Sequence, residues 1–202
     1  MKKYLLCAVF AVMIFALSGC SGKIEELSAK DVQNNTILIK TDGTIQSAVI
    51  EEFDENSYKE EELKQYIEEM LLAFNSQNGE GSVGLKDLDV QDTNAVMVLQ
   101  YKDAQSYSLF NQMDLEIAAA GESGALTLPD TFITAKKGET AGAADALSDK
   151  NAKVAKIGTP LEGENPYQVM VEGKITHYAG GTPVDEHTIS ADASGDTVIV
   201  FK

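Results

Sequence analysis

The chain has 202 residues, of which 32 are acidic and 16 are basic, and its formal net charge is −16. A surface this acidic repels phosphate backbones, so nucleic acid binding is not expected. Every basic residue is a lysine, so the chain lacks the arginine side chains that bind carboxylates and phosphates through two parallel hydrogen bonds.

The N-terminal segment has the pattern of a secretory signal peptide. Two lysines follow the initiator methionine, an unbroken apolar run occupies residues 4–17, and small residues follow at Ser18 and Gly19. The run is shorter than the roughly 20 apolar residues that a membrane-spanning helix needs. We therefore expect residues 1–19 to be a signal peptide that is removed during export.

Leu17, Ser18, Gly19 and Cys20 resemble the lipobox of bacterial lipoproteins. The resemblance implies that a diacylglyceryl group is attached to the Cys20 thiol and that the chain is cleaved just before this residue. Residues 20–35, which are polar and lack periodicity, would then form a lipidated tether. Two acyl chains hold a protein stably on a membrane, whereas one chain binds only marginally. An ordinary signal peptide that is cleaved elsewhere is the alternative.

The lipid is expected to be the mature protein's only contact with the membrane. Cleavage before Cys20 removes two lysines, which changes the net charge from −16 to −18. That charge repels anionic headgroups, and residues 20–35 contain no polybasic stretch that would form a second anchor. Cleavage also removes Cys7, so Cys20 is the only cysteine left and no intramolecular disulfide is expected.

A hairpin and a helix are predicted first along the mature chain. Asp42 and Gly43 lie between two β-branched runs within residues 36–53, which predicts a hairpin with a two-residue turn. Ser57 and Glu60 form a Ser-x-x-Glu capping box, which marks the start of a helix that ends at an Asn-Gly pair. The core-facing side of this helix is expected to consist of Leu63, Tyr66, Ile67, Met70, Leu71 and Phe74.

The remaining elements are mostly strands. A strand is predicted at residues 83–90, and another, buried on both faces, at residues 95–101. Asp103 is predicted to cap a second, short helix. The Ala- and Gly-rich residues 136–151, with one short helix near 141–147, are a candidate internal linker. Further apolar runs predict strands at residues 115–119, 131–134, 154–157, 167–178, 188–191 and 197–201.

These elements predict an α+β fold. A hairpin and two helices would occupy the N-terminal half, and the C-terminal half would be rich in β-structure. Residues 36–202 are then expected to form one compact acidic domain.

His177 and His187 are the first candidates for metal ligands. Asp185 and Glu186 adjoin the second histidine, and pairing of the flanking strands would bring both imidazoles together, as in a zinc or iron site. Their spacing of ten residues is not a recognised ligand motif. We therefore predict no metal site here and place both side chains on strand surfaces.

Asp87, Asp89 and Asp92 are candidate ligands for calcium, which takes oxygen ligands. The EF-hand pattern fails, because the sixth position of the loop is not glycine and Val98 stands where a bidentate glutamate belongs. Calcium is therefore kept only as a secondary candidate partner.

Ser123 lies in a stretch that partly matches the nucleophile turn of serine hydrolases. Gly121 and Gly124 flank it, but Ala125 breaks the Gly-x-Ser-x-Gly pattern. A turn of small residues is the simpler interpretation. The chain has no phosphate-binding loop and no dinucleotide fingerprint, so no cofactor is predicted.

The sequence favours a non-enzymatic lipoprotein that binds or scaffolds at the outer face of the membrane. The chain resembles small uncharacterised lipoproteins of Gram-positive-type bacteria, and its partner is expected to be another envelope protein. A substrate-binding lipoprotein of a transporter is the first alternative, although such proteins usually have two α/β lobes. An envelope hydrolase that uses acidic residues is the second.

Overall fold

The computed structural model describes residues 26–54, 59–91, 93–159 and 167–202. Its helices are α1 (Glu60–Asn78), α2 (Ala104–Asn111) and α3 (Ala143–Ala146), and a 3-10 helix spans Ala120–Ala125. Its strands are β1 (Thr36–Ile39), β2 (Ile45–Glu52), β3 (Val83–Gln91), β4 (Asn94–Tyr101), β5 (Leu115–Ala119), β6 (Thr131–Thr134), β7 (Thr140–Gly142), β8 (Lys153–Ile157), β9 (Gln168–Val171), β10 (Ile175–Ala179), β11 (Thr182–Pro183), β12 (Thr188–Ser190) and β13 (Thr197–Phe201).

The strands form two sheets. The first has the order β11-β12-β9-β1-β2-β4-β3, and the second has the order β5-β8-β13-β10-β6-β7. Strands β1 and β9 are parallel neighbours, and the remaining recorded pairs are antiparallel. The predicted α+β class is confirmed. The helices are not mainly N-terminal, because the 3-10 helix and α3 lie in the second half. Helix α3 falls within the short helix predicted near residues 141–147.

The main core lies between the two sheets. Ile37 and Ile39 enter it from the first sheet, and Ile199 and Phe201 enter it from the second. Helices α1 and α2 pack on β3 and β5, which are edge strands of the two sheets, and they add Ile67, Leu71 and Tyr107 to this core.

Each sheet is also apolar on its outer face. In β13, Val198 and Val200 point away from the shared core, into a cluster that the 3-10 helix and α3 cover with Ala120 and Ala146. In β4, Val96 and Val98 point outward in the same way. Successive residues of a strand face opposite sides, so the continuous apolar runs of these strands fit burial on both faces. The prediction for residues 95–101 is confirmed.

The predicted hairpin is formed by β1 and β2, but its turn differs from the prediction. The Gly43 amide donates to the Lys40 carbonyl at 3.1 Å, and the Lys40 amide donates to the Thr44 carbonyl at 3.0 Å. Gly43 has a φ of +93°. The loop therefore has three residues and ends in a left-handed glycine, which is the next most common hairpin geometry.

Helix α1 begins at Glu60, and the Lys59 amide donates to the Glu62 carboxylate at 3.3 Å. The predicted capping partner Ser57 lies outside the described residues. Tyr66, predicted to face inward, is 66% exposed; Ile67 and Leu71 are buried as predicted. The second helix is capped as predicted, because the Ser106 amide donates to the Asp103 carboxylate at 2.8 Å.

Residues 136–151, considered above as an internal linker, contain β7 and α3. Strand β7 pairs with β6 at the edge of the second sheet, and Ala146 of α3 is 3% exposed in the outer cluster. Ala146 therefore packs closely against the second sheet, where a larger side chain would separate α3 from it.

The C-terminal strands cross repeatedly between the sheets. The single strand predicted at residues 167–178 is in fact two strands, β9 in the first sheet and β10 in the second, joined through Gly173. A Cβ atom on Gly173 would lie 2.7 Å from the carbonyl group of Lys202. The chain then returns to the first sheet through Gly180 and Gly181, which have φ values of +74° and +73°.

We expect Gly180→Ala to destabilise the fold by about 2 kcal/mol or more. The added Cβ would overlap the Asp196 carbonyl oxygen, and the positive φ would strain any L-side chain. The measurement is urea unfolding followed by circular dichroism. Gly195→Ala is the matched control, because a Cβ there meets nothing within 4 Å; equal stability of the two variants would contradict the prediction.

Candidate functional site

Residues 26–35, which we call the strap, cover the outer face of the first sheet. Leu27 is 8% exposed and Ala29 is 2% exposed. Both pack with Leu38, Ala48 and Val98 in the outer cluster of this sheet. The later part of the predicted tether is therefore folded onto the domain, and only residues 20–25 of it lie outside the described residues.

Side chains of the sheet hold the strap in place. The Leu27 amide donates to Gln46 Oε1 at 2.8 Å, and the Ala29 amide donates to Asp87 Oδ2 at 2.9 Å. At the other end of the strap, the Ile50 amide donates to Asn35 Oδ1 at 2.9 Å. These bonds satisfy amides that would otherwise be buried without a partner, which costs free energy.

The calcium candidates contribute to the fold. Asp87 accepts the bond from the strap described above, and Asp89 accepts a bond from the Gln91 side chain. Asp92 lies outside the described residues. Across the described ranges no group of three or more His, Cys, Asp or Glu side chains is arranged to hold a metal ion.

The two histidines have separate surroundings. His177 lies on β10 between Val200 and Thr134 of the neighbouring strands, and burial lowers the pKa of its imidazole. His187 precedes β12, with Nδ1 2.8 Å from the Gly173 carbonyl oxygen and Nε2 3.5 Å from Glu186 Oε1. No described contact joins the two imidazoles, and within the described ranges they belong to no group of three or more side chains that could hold a metal ion.

Ser123 is part of the 3-10 helix and is 5% exposed. Its hydroxyl donates to the Ala120 carbonyl oxygen at 2.9 Å. A nucleophilic serine must present its oxygen to a substrate, whereas this one closes a helical turn. The segment around Ser123 therefore fits the simpler interpretation, a turn built from small residues.

Charged residues gather where the strap begins. Glu26 pairs with Lys40 at 3.5 Å and also contacts Lys86. The hydrogen bond from Lys86 lowers the pKa of the Glu26 carboxyl. We call this the hairpin-tip end of the molecule, because Lys40 adjoins the β1–β2 turn.

A shallow depression of about 520 Å³ opens at the hairpin-tip end. Its polar lining comes from Thr44, Lys86, Gln100 and Lys102. Lysines bind anions as point charges, so this depression suits an anionic group. Sequence reasoning missed it because its residues come from distant parts of the chain: Thr44 precedes β2, Lys102 follows β4, and Lys86 lies at the register shift within β3.

A second depression, of about 650 Å³, lies at the opposite end of β2. We call it the distal depression. Its lining is polar and acidic, and consists of Gln33, Asn34, Asn35, Ile50, Glu51, Glu52 and Asn94. The two depressions lie at opposite ends of the paired strands β2 and β4. Ile45 pairs with Tyr101 at the hairpin-tip end, and Glu52 pairs with Asn94 at the distal end.

No family model, curated protein or solved structure matches this chain. None of the helices in the described ranges is long and apolar enough to cross a membrane.

Replacing Gln46 with Leu should loosen the strap. The Leu27 amide would lose its buried acceptor, which costs about 1–3 kcal/mol. We expect faster amide hydrogen exchange in residues 27–32, measured by mass spectrometry. The control Gln65→Leu makes the same change on the exposed surface of α1; if both variants exchange alike in the strap, the bond from Leu27 does not hold it.

His177 should make the fold sensitive to mild acid. Burial lowers the pKa of the His177 imidazole in the folded state, below its unfolded-state pKa of about 6.5. The neutral imidazole therefore stabilises the fold fully at pH values above the unfolded-state pKa. This stabilisation is lost as the pH falls through the folded-state pKa. Urea unfolding at several pH values should show a smaller acid loss for His177→Gln than for the wild type. An NMR titration of His187→Gln, which keeps one imidazole, measures the His177 pKa directly; an unshifted value would refute the prediction.

Proposed function

We propose that this chain is a lipoprotein held on the outer face of the cell membrane through a diacylglyceryl group on Cys20. The observation that carries the proposal is the signal peptide pattern with its lipobox residues Leu17, Ser18, Gly19 and Cys20. The strap begins only six residues after Cys20. The lipid would therefore be joined closely to a folded β-rich domain.

The domain is proposed to act by binding or scaffolding and not by catalysis. The distal depression is the candidate contact surface, because amide and carboxylate side chains line it around the partly exposed Ile50. Such a lining can donate and accept hydrogen bonds. The partner is proposed to be another component of the envelope with a polar surface.

One folding unit is proposed for the strap and both sheets. The space between the sheets is filled by side chains such as Ile39 and Ile199, each 0% exposed. A two-lobed substrate-binding protein keeps its ligand between its lobes, so this filled core favours a single binding module over that alternative.

Replacing Cys20 with Ser should abolish lipid attachment, because serine has no thiol to accept the diacylglyceryl group. In cells fed an alkyne-tagged fatty acid, the variant should carry no label and should be either released or left unprocessed. Cys7→Ser is the matched control, since it changes the other cysteine of the chain. It should remain labelled and membrane-bound. A processed Cys20→Ser protein that stays quantitatively on the membrane would refute the proposal.

A further inference from the structure

We propose that the hairpin-tip end is a membrane-facing surface that contacts anionic lipid headgroups. This inference rests on the proposed lipidation of Cys20. It concerns which side of the domain meets the membrane and what the lysines at that side bind.

The length of chain before the strap limits how far the hairpin tip can lie from the lipid. Glu26 is the sixth residue after Cys20, and a fully extended chain over six residue steps spans about 20 Å. Glu26 is fixed beside Lys40 and Lys86. Whatever path residues 20–25 take, this end of the domain stays within that reach of the anchor.

The distal end lies farther away along the same strand. Strand β2 has eight residues, so its two ends are about 24 Å apart. Helix α1 follows the same axis, because Asn75 near its end bonds to Val83 at the hairpin-tip end. Its first turn, with Glu60, Glu61 and Glu62, therefore lies toward the distal end.

The charges at the two ends differ accordingly. Around the hairpin tip, Lys40, Lys86 and Lys102 are joined by Lys153, whose amino group contacts the Thr41 carbonyl oxygen. The acidic groups at this end are Glu26, Asp42, Glu172, the exposed Glu80 beside the depression, and Asp103 beside Lys102. Four lysines thus face five carboxylates, so this end is close to neutral, although the whole chain is strongly acidic.

An anionic membrane would therefore favour one orientation. The negative surface potential attracts lysines within a Debye length and repels carboxylates. The acidic distal end would be turned away, and the hairpin tip with its depression would be turned toward the headgroups. The net charge of the mature chain alone predicts that the domain stands off an anionic membrane. The uneven distribution of its charges predicts instead that the hairpin-tip end faces the membrane.

The experiment measures energy transfer from the domain to the membrane. Full-length lipidated protein is reconstituted into vesicles of phosphatidylcholine alone or of an equimolar mixture with phosphatidylglycerol, each with a headgroup-linked acceptor dye. A donor dye is placed at Glu80→Cys beside the hairpin-tip depression or at Glu52→Cys at the distal end. Both variants remove one exposed carboxylate, and with Cys20 lipidated the new cysteine is the only free thiol of the mature chain.

The donor at residue 80 should transfer more energy than the donor at residue 52 by at least about twofold, because the strand ends are about 24 Å apart. The difference should be larger on the anionic vesicles and should shrink at high salt. Equal transfer from both sites, or greater transfer from residue 52, overturns the proposed orientation.

A charge reversal tests the headgroup contact itself. Lys102→Glu, with the donor at residue 80, should lower transfer on anionic vesicles to the level found on neutral ones. Lys64→Glu makes the same change on the exposed surface of α1 and should leave transfer unaltered. If Lys102→Glu also has no effect, the headgroup contact is refuted.

Failure of the proposed lipidation would be recognised separately. In that case the wild-type protein carries no fatty-acid label and does not associate with vesicles, so no donor shows transfer. A labelled, vesicle-bound protein with equal transfer from both donors would instead refute the orientation alone.

Discussion

Burial of both faces of both sheets is the constraint on which this structure depends. Ile37 and Ile39 face the shared core while Leu38 between them faces outward, and β13 alternates in the same way between Val200 and Phe201. A strand that is apolar on both faces is stable only where each face is covered. The strap covers one outer face, and the 3-10 helix with α3 covers the other.

The C-terminal chain passes three times between the two sheets, from β9 to β10, from β10 to β11 and from β12 to β13. Two of the crossings pass through glycines, the first through Gly173 and the second through Gly180 and Gly181. A Cβ atom at each of these positions would meet the backbone of a neighbouring strand end, such as the Asp196 carbonyl oxygen at Gly180. A larger residue there would therefore push the backbone apart where the chain passes from one sheet to the other.

The sequence predicted local elements well, because their signals are local. The hairpin, the Asp103 cap and the apolar strands each follow from neighbouring residues. The sequence predicts a tether where the structure has the strap, because Leu27 and Ala29 are isolated apolar residues in a polar stretch. Their burial depends on Gln46 and Asp87 elsewhere in the chain. The two depressions were missed for the same reason, since strand pairing over long separations creates them.

The strap links the fold to the proposed location of the protein. Because it lies along the outer face from Glu26 to Asn35, its start is fixed at the lysine-bearing hairpin tip, whereas the distal depression lies at its other end. A flexible tether of the same length would let the domain turn freely over the membrane. In the proposed lipoprotein, folding of the tether onto the sheet would leave only residues 20–25 between the lipid and the domain, so the buried side chain of Leu27 would limit how far the domain can turn.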